Sequence, residues 1–261
     1  MDSFVRPKKS LGQHFLKDEN IARKIVDSLP PYAENILEIG PGMGVLTKYL
    51  LDLPGKSCFF IDTDRESISY LNGLFPEHTN RFIRADFLDF DPSEIFPNQF
   101  TVIGNFPYNI SSQIFFKVLQ HRDQVTDVVG MIQKEVAERL ASGPGSKKYG
   151  ILSVLLQAFY RIDYLFTVNE TVFIPPPKVK SAVIRLNRND RSGLGCDEKL
   201  FFQVVKTAFN QRRKTLRNAL RPLVKDFQSP DFEYFSGKRA EVLSVEEFIQ
   251  LTRIIQKEQK L

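Results

Sequence analysis

The run Asn-Phe-Pro-Tyr at residues 105–108 has the residue types needed to position the exocyclic amine of a nucleobase. The lone pair of adenine N6 is delocalised into the ring, so a catalyst must hold both N–H groups with acceptors and direct the lone pair at the incoming group. The Asn105 side-chain oxygen and the Phe106 carbonyl can accept these bonds. Pro107 fixes the turn, and Tyr108 offers a ring face on which a base can stack. The pattern favours N6 methylation; its alternative is an ordinary Asn-x-Pro turn with a core tyrosine.

A glycine-rich turn follows the apolar run 35–40, which predicts a buried strand. Gly40, Gly42 and Gly44 allow the backbone to approach a ligand closely, with a G-x-G-x-G spacing that differs from the dinucleotide fingerprint G-x-G-x-x-G. Asp62 ends the next strand, 22 residues after Gly40, where a carboxylate can accept from both ribose hydroxyls. The pair fits NAD or S-adenosylmethionine, and also a plain tight turn with a capping aspartate.

Strands and helices alternate over most of the chain, which predicts a parallel sheet in an α/β fold. Ligands of such sheets lie beyond the carboxyl ends of the strands, so we expect Asp62, Asp86 and Asn105, which close three strands, to converge. Strands are predicted at 35–40, 57–61, 81–84, 100–103, 125–133, 164–168 and 180–186. Helices are predicted at 18–28, 45–51, 134–141, 151–159, 200–209 and 245–255.

A Gly-rich break at 189–195 separates this α/β block from a tail with only helical patterns. We therefore predict two domains: residues 1–188, which include an ordered N-terminal arm before a helix capped by Asp18, and a helical domain at 189–261.

The charge distribution favours a nucleic acid as partner. The chain has a net charge of +5 and a pI of about 9.1, and the segment 199–225 holds eight basic residues and no acid. The absence of acids removes the i,i+4 pairing expected of an ordinary solvated helix face at 211–217. Lys147 and Lys148, in a Gly/Pro loop, fit either interpretation. The predicted RNA-binding residues are Arg212, Arg213, Lys214, Arg217, Lys147 and Lys148.

The composition, 42% hydrophobic and 26% charged, is that of a globular chain and excludes a disordered one. Cys58 and Cys196 lack the spacing of a zinc site or a disulfide framework, and His78 and His121 lie in loop contexts without ligand spacing. No apolar segment is long enough to span a membrane. We expect a cytoplasmic protein, a monomer, without a metal or a membrane partner.

Six longer motifs carry a specific resemblance: KKSLGQHFL (8–16), ILEIGPGMGVLT (36–47), GNFPYNIS (104–111), MIQKEVAERL (131–140), FIPPPKVKSAVIRL (173–186) and AFNQRRKTLRNAL (208–220). Over nearly the whole chain they resemble the ribosomal RNA adenine N6-dimethyltransferase family. The first and last motifs resemble its small-subunit (16S) branch. The related large-subunit enzymes share the glycine turn and the N-x-P-Y motif. The resemblance implies a class I S-adenosylmethionine-dependent methyltransferase (Rossmann-like) domain with a small C-terminal helical domain.

The resemblance also implies roles for individual residues. The residues implied to bind the cofactor S-adenosylmethionine are His14, Leu16, Gly40, Gly42, Asp62, Asp86 and Asn105. Of these, Asp62 would hold the ribose and Asp86 the adenine amino group. The residues implied to act on the target adenine are Asn105, Phe106, Pro107, Tyr108 and Phe173. Tyr108 would stack on one face of a flipped base and Phe173 would close over the other.

Two positions depart from the usual family pattern. Asp62 stands where Glu is usual, which shortens the reach to the ribose by one methylene and affects the expected cofactor affinity. Phe106 replaces Leu; because only its carbonyl is needed in the role above, we expect this change to be neutral.

The implied reaction is transfer of two methyl groups to N6 of each of two adjacent adenosines near the 3′ end of 16S rRNA. The implied partner is small-subunit rRNA in a partly assembled small ribosomal subunit. The alternatives are a non-catalytic RNA-binding or assembly factor on the same fold, a large-subunit rRNA adenine methyltransferase, and a nucleotide-dependent oxidoreductase. An intact Asn-Phe-Pro-Tyr run disfavours the first, and the position of Gly44 disfavours the last.

Overall fold

A computed structural model of the chain describes residues 5–225 and 227–259. Its main feature is a seven-stranded sheet in the order β4-β3-β2-β5-β6-β9-β7, beside a two-stranded sheet of β1 and β8. The strands are β1 (Phe15–Leu16), β2 (Asn35–Ile39), β3 (Ser57–Asp62), β4 (Phe82–Arg84), β5 (Phe100–Asn105), β6 (Val125–Gln133), β7 (Tyr160–Val168), β8 (Phe173–Ile174) and β9 (Ser181–Arg188).

Ten α-helices connect and follow these strands within the described residues. They are α1 (Glu19–Val26), α2 (Thr47–Leu51), α3 (Arg65–Leu74), α4 (Ser111–Gln120), α5 (Lys134–Ala141), α6 (Ile151–Gln157), α7 (Glu198–Asn210), α8 (Leu216–Ala219), α9 (Glu233–Ser236) and α10 (Val245–Glu258).

The first five strands of the main sheet form the predicted parallel array. β2 pairs in parallel with β3 and β5, β3 with β4, and β5 with β6, whereas β9 runs antiparallel to β6. β2 and β5 are buried on both faces, as expected when helices cover both sides of a parallel sheet. The apolar runs of the sequence therefore indicated strands in the interior of the sheet, and the α/β fold class is confirmed.

Side chains cap the starts of α1 and α10. The Asp18 carboxylate accepts hydrogen bonds from the N–H groups of Asn20 and Ile21, and thus caps α1. Ser244 and Glu247 form a reciprocal capping box at the start of α10.

The chain divides into two compact units, residues 1–137 with 162–188, and residues 138–161 with 189–261. The predicted boundary after residue 188 is one of the points at which the chain passes between the units. Residues 138–161, expected in the first domain, pack with the helical tail instead, because α6 contacts α7 and α10.

The segment 211–217 is not a single helix face, which was the alternative to RNA contact for this segment. α7 ends at Asn210, and α8 begins at Leu216, so residues 211–215 form a turn between two helices.

In the part of the chain that the structure describes, no helix is long and apolar enough to cross a membrane.

Candidate active site

A cavity of about 320 Å³ lies at the carboxyl ends of β2, β3 and β5, within the first unit. The predicted site residues that line it are His14, Gly40, Gly42, Asp62, Asp86, Asn105, Phe106, Pro107 and Tyr108. The expectation that the polar residues closing three strands converge is confirmed, because Asp62, Asp86 and Asn105 face one space.

A wider groove of about 600 Å³ lies at the opposite, amino-terminal ends of β2, β5 and β6. Two of its side-chain amides are engaged within the protein: Asn35 donates to the Gln99 carbonyl at 3.1 Å, and Gln124 donates to the Phe96 carbonyl at 3.4 Å. The smaller cavity is the better candidate, since it holds the glycine turn and the strand-closing carboxylates.

The glycine turn needs glycine for both conformation and space. Gly40, Gly42 and Gly44 have φ angles of +70°, +55° and +78°, a region that other residues rarely adopt. A Cβ atom on Gly42 would lie 2.8 Å from the Phe15 ring, and one on Gly44 would lie 2.8 Å from Leu71. A Cβ on Gly40 would meet no atom within 3.7 Å, its nearest neighbour being Pro107 at 3.8 Å, so the backbone there borders open cavity.

Asp62 is a buried carboxylate held by backbone donors at the end of β3. Its two oxygens accept from the N–H groups of Gly42, at 3.3 Å, and Asp64, at 2.8 Å. Burial raises the pKa of Asp62 even though both hydrogen bonds favour the ionised form. Each oxygen keeps a further lone pair, so the carboxylate can also accept from a diol in the cavity.

Asp86 is exposed at the edge of the same cavity, just after β4. One of its oxygens accepts from the Leu88 N–H at 2.9 Å, which fixes the side chain over its own turn. The other oxygen is positioned by the same turn and can accept an amino group.

Asn105 ends β5 with its side-chain amide turned toward the N-terminal arm. Its Nδ2 donates to the carbonyl oxygen of His14 at 2.8 Å. A carbonyl can only accept, so this bond sets the amide orientation and leaves Oδ1 as the acceptor for another group.

Phe106 occupies space that two glycines leave open. Its N–H donates to the Met131 carbonyl at 3.0 Å, and a Cβ atom on Gly130 would lie 2.6 Å from its ring. A Cβ on Gly104 would lie 3.0 Å from the same ring. The larger side chain, in place of the usual Leu, is thus accommodated in the core while the backbone of Phe106 stays at the cavity.

Tyr108 stacks on the His14 ring with a centroid distance of 5.4 Å. Its hydroxyl is hydrogen-bonded to the Ser181 hydroxyl, and burial raises its pKa although that bond opposes the shift. His14 Nδ1 lies 2.7 Å from the Pro175 carbonyl, so the histidine contacts both the tyrosine and the proline-rich loop.

Leu16 and Phe173 do not line this cavity, although Leu16 lines a much smaller space that shares Gly40 and Asn105 with it. They are 4% and 1% exposed and pair with each other across β1 and β8. Both side chains belong to the hydrophobic core, with Val168 among their neighbours in the cluster. Burial of these two apolar side chains therefore competes with the ligand contacts implied for them.

Three of the six predicted RNA-binding residues form ion pairs within the second unit. Arg212 pairs with Glu241 at 2.5 Å, Lys148 with Glu138 at 2.5 Å, and Arg217 with Glu233 at 2.8 Å. Arg212 also donates to the Lys147 carbonyl at 2.7 Å. Acids distant in sequence supply the partners of Arg212 and Arg217, so the inference from missing i,i+4 acids does not hold for these two residues.

The remaining three, Arg213, Lys214 and Lys147, are exposed. Among the described residues no ion pair is recorded for them, which leaves their charges available to a phosphate.

Several residues that support the site had no role in the sequence-based prediction. Asp64 and Lys8 form an ion pair at 2.6 Å, and Gln13 donates to the same aspartate at 3.1 Å.

Glu38, buried in β2, accepts from the Thr47 hydroxyl at 2.7 Å. Burial raises the pKa of Glu38 to about 8, and the nearby Asp62 charge adds to the shift. Glu38 could have been noticed in the sequence because it is an acidic residue within an otherwise apolar strand.

The residues present fit S-adenosylmethionine as cofactor. The buried Asp62 carboxylate can accept from the ribose diol of the cofactor, and Asp86 can accept from its adenine amino group. The open space over Gly40 leaves room for its methionine part. The volume falls in the range of about 300–1,000 Å³ typical of small-molecule sites. Among the described residues, no cluster of three or more His, Cys, Asp or Glu side chains could hold a metal ion.

Comparisons with known proteins identify relatives of the chain. The profile of the family described as "Ribosomal RNA adenine dimethylase" matches residues 5–257. The chain is 60% identical over 258 residues to "Ribosomal RNA small subunit methyltransferase A" of Parabacteroides distasonis, covering 97% of this chain and 95% of that protein.

Two solved structures are similar over almost the whole chain. A dimethyladenosine transferase from Plasmodium falciparum superposes with a TM-score of 0.78 at 26% identity, covering 94% of this chain and 98% of that one. The 23S rRNA methyltransferase ErmE has a TM-score of 0.71 at 23% identity, covering 93% and 99%, and so shares the fold.

The match covers nearly all of the chain, and the matched range contains the glycine turn and the Asn105 turn that line the cavity. The chain therefore belongs to the ribosomal RNA adenine dimethylase family.

Proposed function

We propose that this protein transfers methyl groups from S-adenosylmethionine to N6 of two adjacent adenosines near the 3′ end of 16S rRNA, two to each. The observation that carries the proposal is the orientation of the Asn105 amide, whose Nδ2 is bound to the His14 carbonyl and whose Oδ1 is left to accept. The identity of 60% to a protein named for the small ribosomal subunit supports the choice of substrate.

The cofactor would be held at the carboxyl ends of the strands. Asp62 would accept from the ribose hydroxyls, and Asp86 from the adenine amino group. Gly40 and Gly42 would leave room for the methionine part, and His14 would border it from the arm. When bound, S-adenosylmethionine supplies an electrophilic methyl group on a sulfonium.

The chain's own residues would orient the target amine. Asn105 Oδ1 and the Phe106 carbonyl would each accept one N–H of adenine N6, which directs its lone pair away from both acceptors. Pro107 would fix the turn between them, and Tyr108 would stack on the base. Attack by the N6 lone pair would break the methyl–sulfur bond, release S-adenosylhomocysteine and leave a cationic N6. This cation is acidic enough to release its proton to water, so the scheme requires no general base.

Phe173 is a less direct participant. Its side chain is 1% exposed in the core, so contact with the target base would require its ring to leave that position. We therefore assign stacking to Tyr108 and treat closure by Phe173 as a secondary contact.

Docking on rRNA would involve the second unit. Arg213, Lys214 and Lys147 are exposed and form no ion pair with another described residue, so they would contact phosphates directly. Arg217 and Lys148 are exposed as well, but like Arg212 each already pairs with an acid and would contribute less to docking. We propose a monomeric enzyme that acts in the cytoplasm on a partly assembled small subunit.

Purified, unmethylated ribosomal subunits of both sizes, incubated with methyl-labelled cofactor, test the proposal. We expect label in 16S rRNA of the small subunit only. Label only in 23S rRNA would favour the large-subunit alternative. Tight subunit binding without label would favour a non-catalytic assembly factor. A rise in melting temperature with NAD but not with S-adenosylhomocysteine would favour an oxidoreductase.

A further inference from the structure

The N-terminal arm, residues 6–17, contributes a backbone group to the catalytic turn. The His14 carbonyl accepts from Asn105 Nδ2 at 2.8 Å, and this bond decides which atom of the amide faces the substrate. Because an amide rotated by half a turn would present donors instead of an acceptor, the position of the His14 carbonyl matters for the chemistry.

The arm is held on both sides of His14. On the carboxyl side, Phe15 and Leu16 pair with β8, and the Lys17 N–H donates to the Val172 carbonyl at 2.9 Å. On the amino side the arm has no strand partner among the described residues, so its position there depends on side chains.

Asp64 supplies polar side-chain contacts on the amino side. Its Oδ1 accepts from Lys8 Nζ at 2.6 Å, and its Oδ2 accepts from Gln13 Nε2 at 3.1 Å. Gln13 also accepts from the Lys8 N–H at 2.9 Å, which closes a small network around the aspartate. Asp64 is 3% exposed, whereas the other acid that reaches Lys8, Glu66 at 3.2 Å, has a side chain that is 60% exposed.

Close packing at Gly12 leaves the arm little room to shift. Gly12 has a φ of +63°, and a Cβ atom on it would lie 2.6 Å from the Asn109 side chain. The arm therefore passes directly against the loop that follows the Asn105 turn.

We propose that Asp64 is a positioning residue, which holds Lys8 and Gln13 so that the His14 carbonyl orients the Asn105 amide for methyl transfer. The proposal rests on the function proposed above and adds a residue outside the cavity lining. The competing explanation is that Asp64 only caps α3, since its Oδ1 also accepts from the Glu66 N–H at 3.0 Å.

Asp64→Asn separates these explanations. Asparagine caps helices about as well as aspartate, so the start of α3 is preserved. The asparagine side chain has no negative charge and only one acceptor oxygen, so it cannot accept from both Lys8 and Gln13 as the carboxylate does. Glu66→Gln is the matched control, because it removes one negative charge from the same helical turn.

Kinetics with unmethylated small subunits provide the first readout. We expect Asp64→Asn to lower kcat by about 10–100-fold through misplacement of the amide. We expect Glu66→Gln to change kcat by less than about twofold, because exposed ion pairs contribute little. We expect the affinity for S-adenosylhomocysteine to change far less than kcat, since Asp62 keeps the backbone N–H of residue 64. Wild-type kcat in Asp64→Asn would overturn the proposal, and so would a loss confined to the KM for the cofactor.

Lys8→Met gives an independent test from the other partner. If the two residues act together, the double variant should lose no more activity than Asp64→Asn alone. Additive losses would show that they act separately and would contradict the proposal. Should Asp64→Asn fail to fold, Lys8→Met alone must still lower kcat at unchanged melting temperature.

Limited trypsin digestion tests the arm without any activity. We expect faster cleavage after Lys9 in Asp64→Asn than in the wild type or Glu66→Gln, with the rest of the digestion pattern unchanged. Equal cleavage rates would overturn the proposal. If the wild type transfers no methyl group, the proposed function fails, while this digestion still reports on the role of Asp64.

Discussion

The carbonyl oxygen of His14 lies 2.8 Å from Nδ2 of Asn105, so residues 91 positions apart jointly determine the acceptor that faces the cavity. The side chain of Asn105 comes from the end of a buried strand, and the carbonyl comes from the arm that crosses that end. The amide is consequently oriented before any substrate arrives, which is the preorganisation that positioning catalysis requires.

Asn105→Ala should reduce kcat by about 10²–10³-fold, as the loss of one oriented hydrogen-bonding group does elsewhere. The truncation removes the acceptor for the target amine and leaves Asp62 and the glycine turn in place. Single-turnover methylation of small subunits measures the effect, with calorimetric binding of S-adenosylhomocysteine as the control. Methyl transfer at the wild-type rate would show that this amide takes no part in the reaction.

Asp62→Ala should weaken cofactor binding by about 1.5–3 kcal/mol, or about 10–150-fold, because the ribose hydroxyls lose a charged acceptor. Calorimetry with S-adenosylhomocysteine measures it, and an unchanged dissociation constant would remove Asp62 from the cofactor site. Asp62→Glu, which restores the usual family residue, should bind the cofactor.

Glu38 should make the folded state less stable as pH rises. Burial raises its pKa from 4.5 to about 8, so between these values the folded state holds a proton that the unfolded state has released. Its contribution to the free energy of unfolding is therefore full below pH 4.5 and is lost progressively up to about pH 8.

The comparison of wild type with Glu38→Gln isolates this contribution. Glutamine stays neutral and can still accept from Thr47. The free energy of unfolding of the variant, measured with denaturant, should therefore fall less than that of the wild type as pH rises through this range. Parallel stability curves for the two proteins across this pH range would contradict the raised pKa.

Arg213→Ala with Lys214→Ala should weaken subunit binding and make the slope of log affinity against log salt shallower by about 0.7–0.9 for each lost phosphate contact. Arg212→Ala is the matched control, because Arg212 pairs with Glu241 and binds the Lys147 carbonyl. It should lower the melting temperature and change the salt slope less. A salt slope unaltered by the double change would place RNA docking elsewhere.

The sequence predicted the sheet well because its central strands are buried and mostly apolar. β6 and α5 have the bounds that were predicted, Val125–Gln133 and Lys134–Ala141. β7 begins at Tyr160, four residues before the predicted start. Its first four residues are both polar and apolar, so in the sequence they merge with the preceding helical pattern.

The candidate site was predicted in part. Asp62, Asp86 and Asn105 could be located because each closes an apolar strand, and parallel strands bring such residues to one edge. The two-residue pairing of β1 with β8 has no periodicity to detect, so the burial of Phe173 could not be predicted. The Arg212–Glu241 pair and the Lys8–Asp64 pair depend on tertiary contacts that local sequence does not encode.

The most direct test of the account is mass spectrometry of nucleosides and oligonucleotides from 16S rRNA after small subunits are incubated with the wild type or with Asn105→Ala. The account predicts N6,N6-dimethyladenosine at two adjacent positions near the 3′ end with the wild type, and almost none with the variant in the same time. Methylation at another atom or base, or equal product from both proteins, would contradict it.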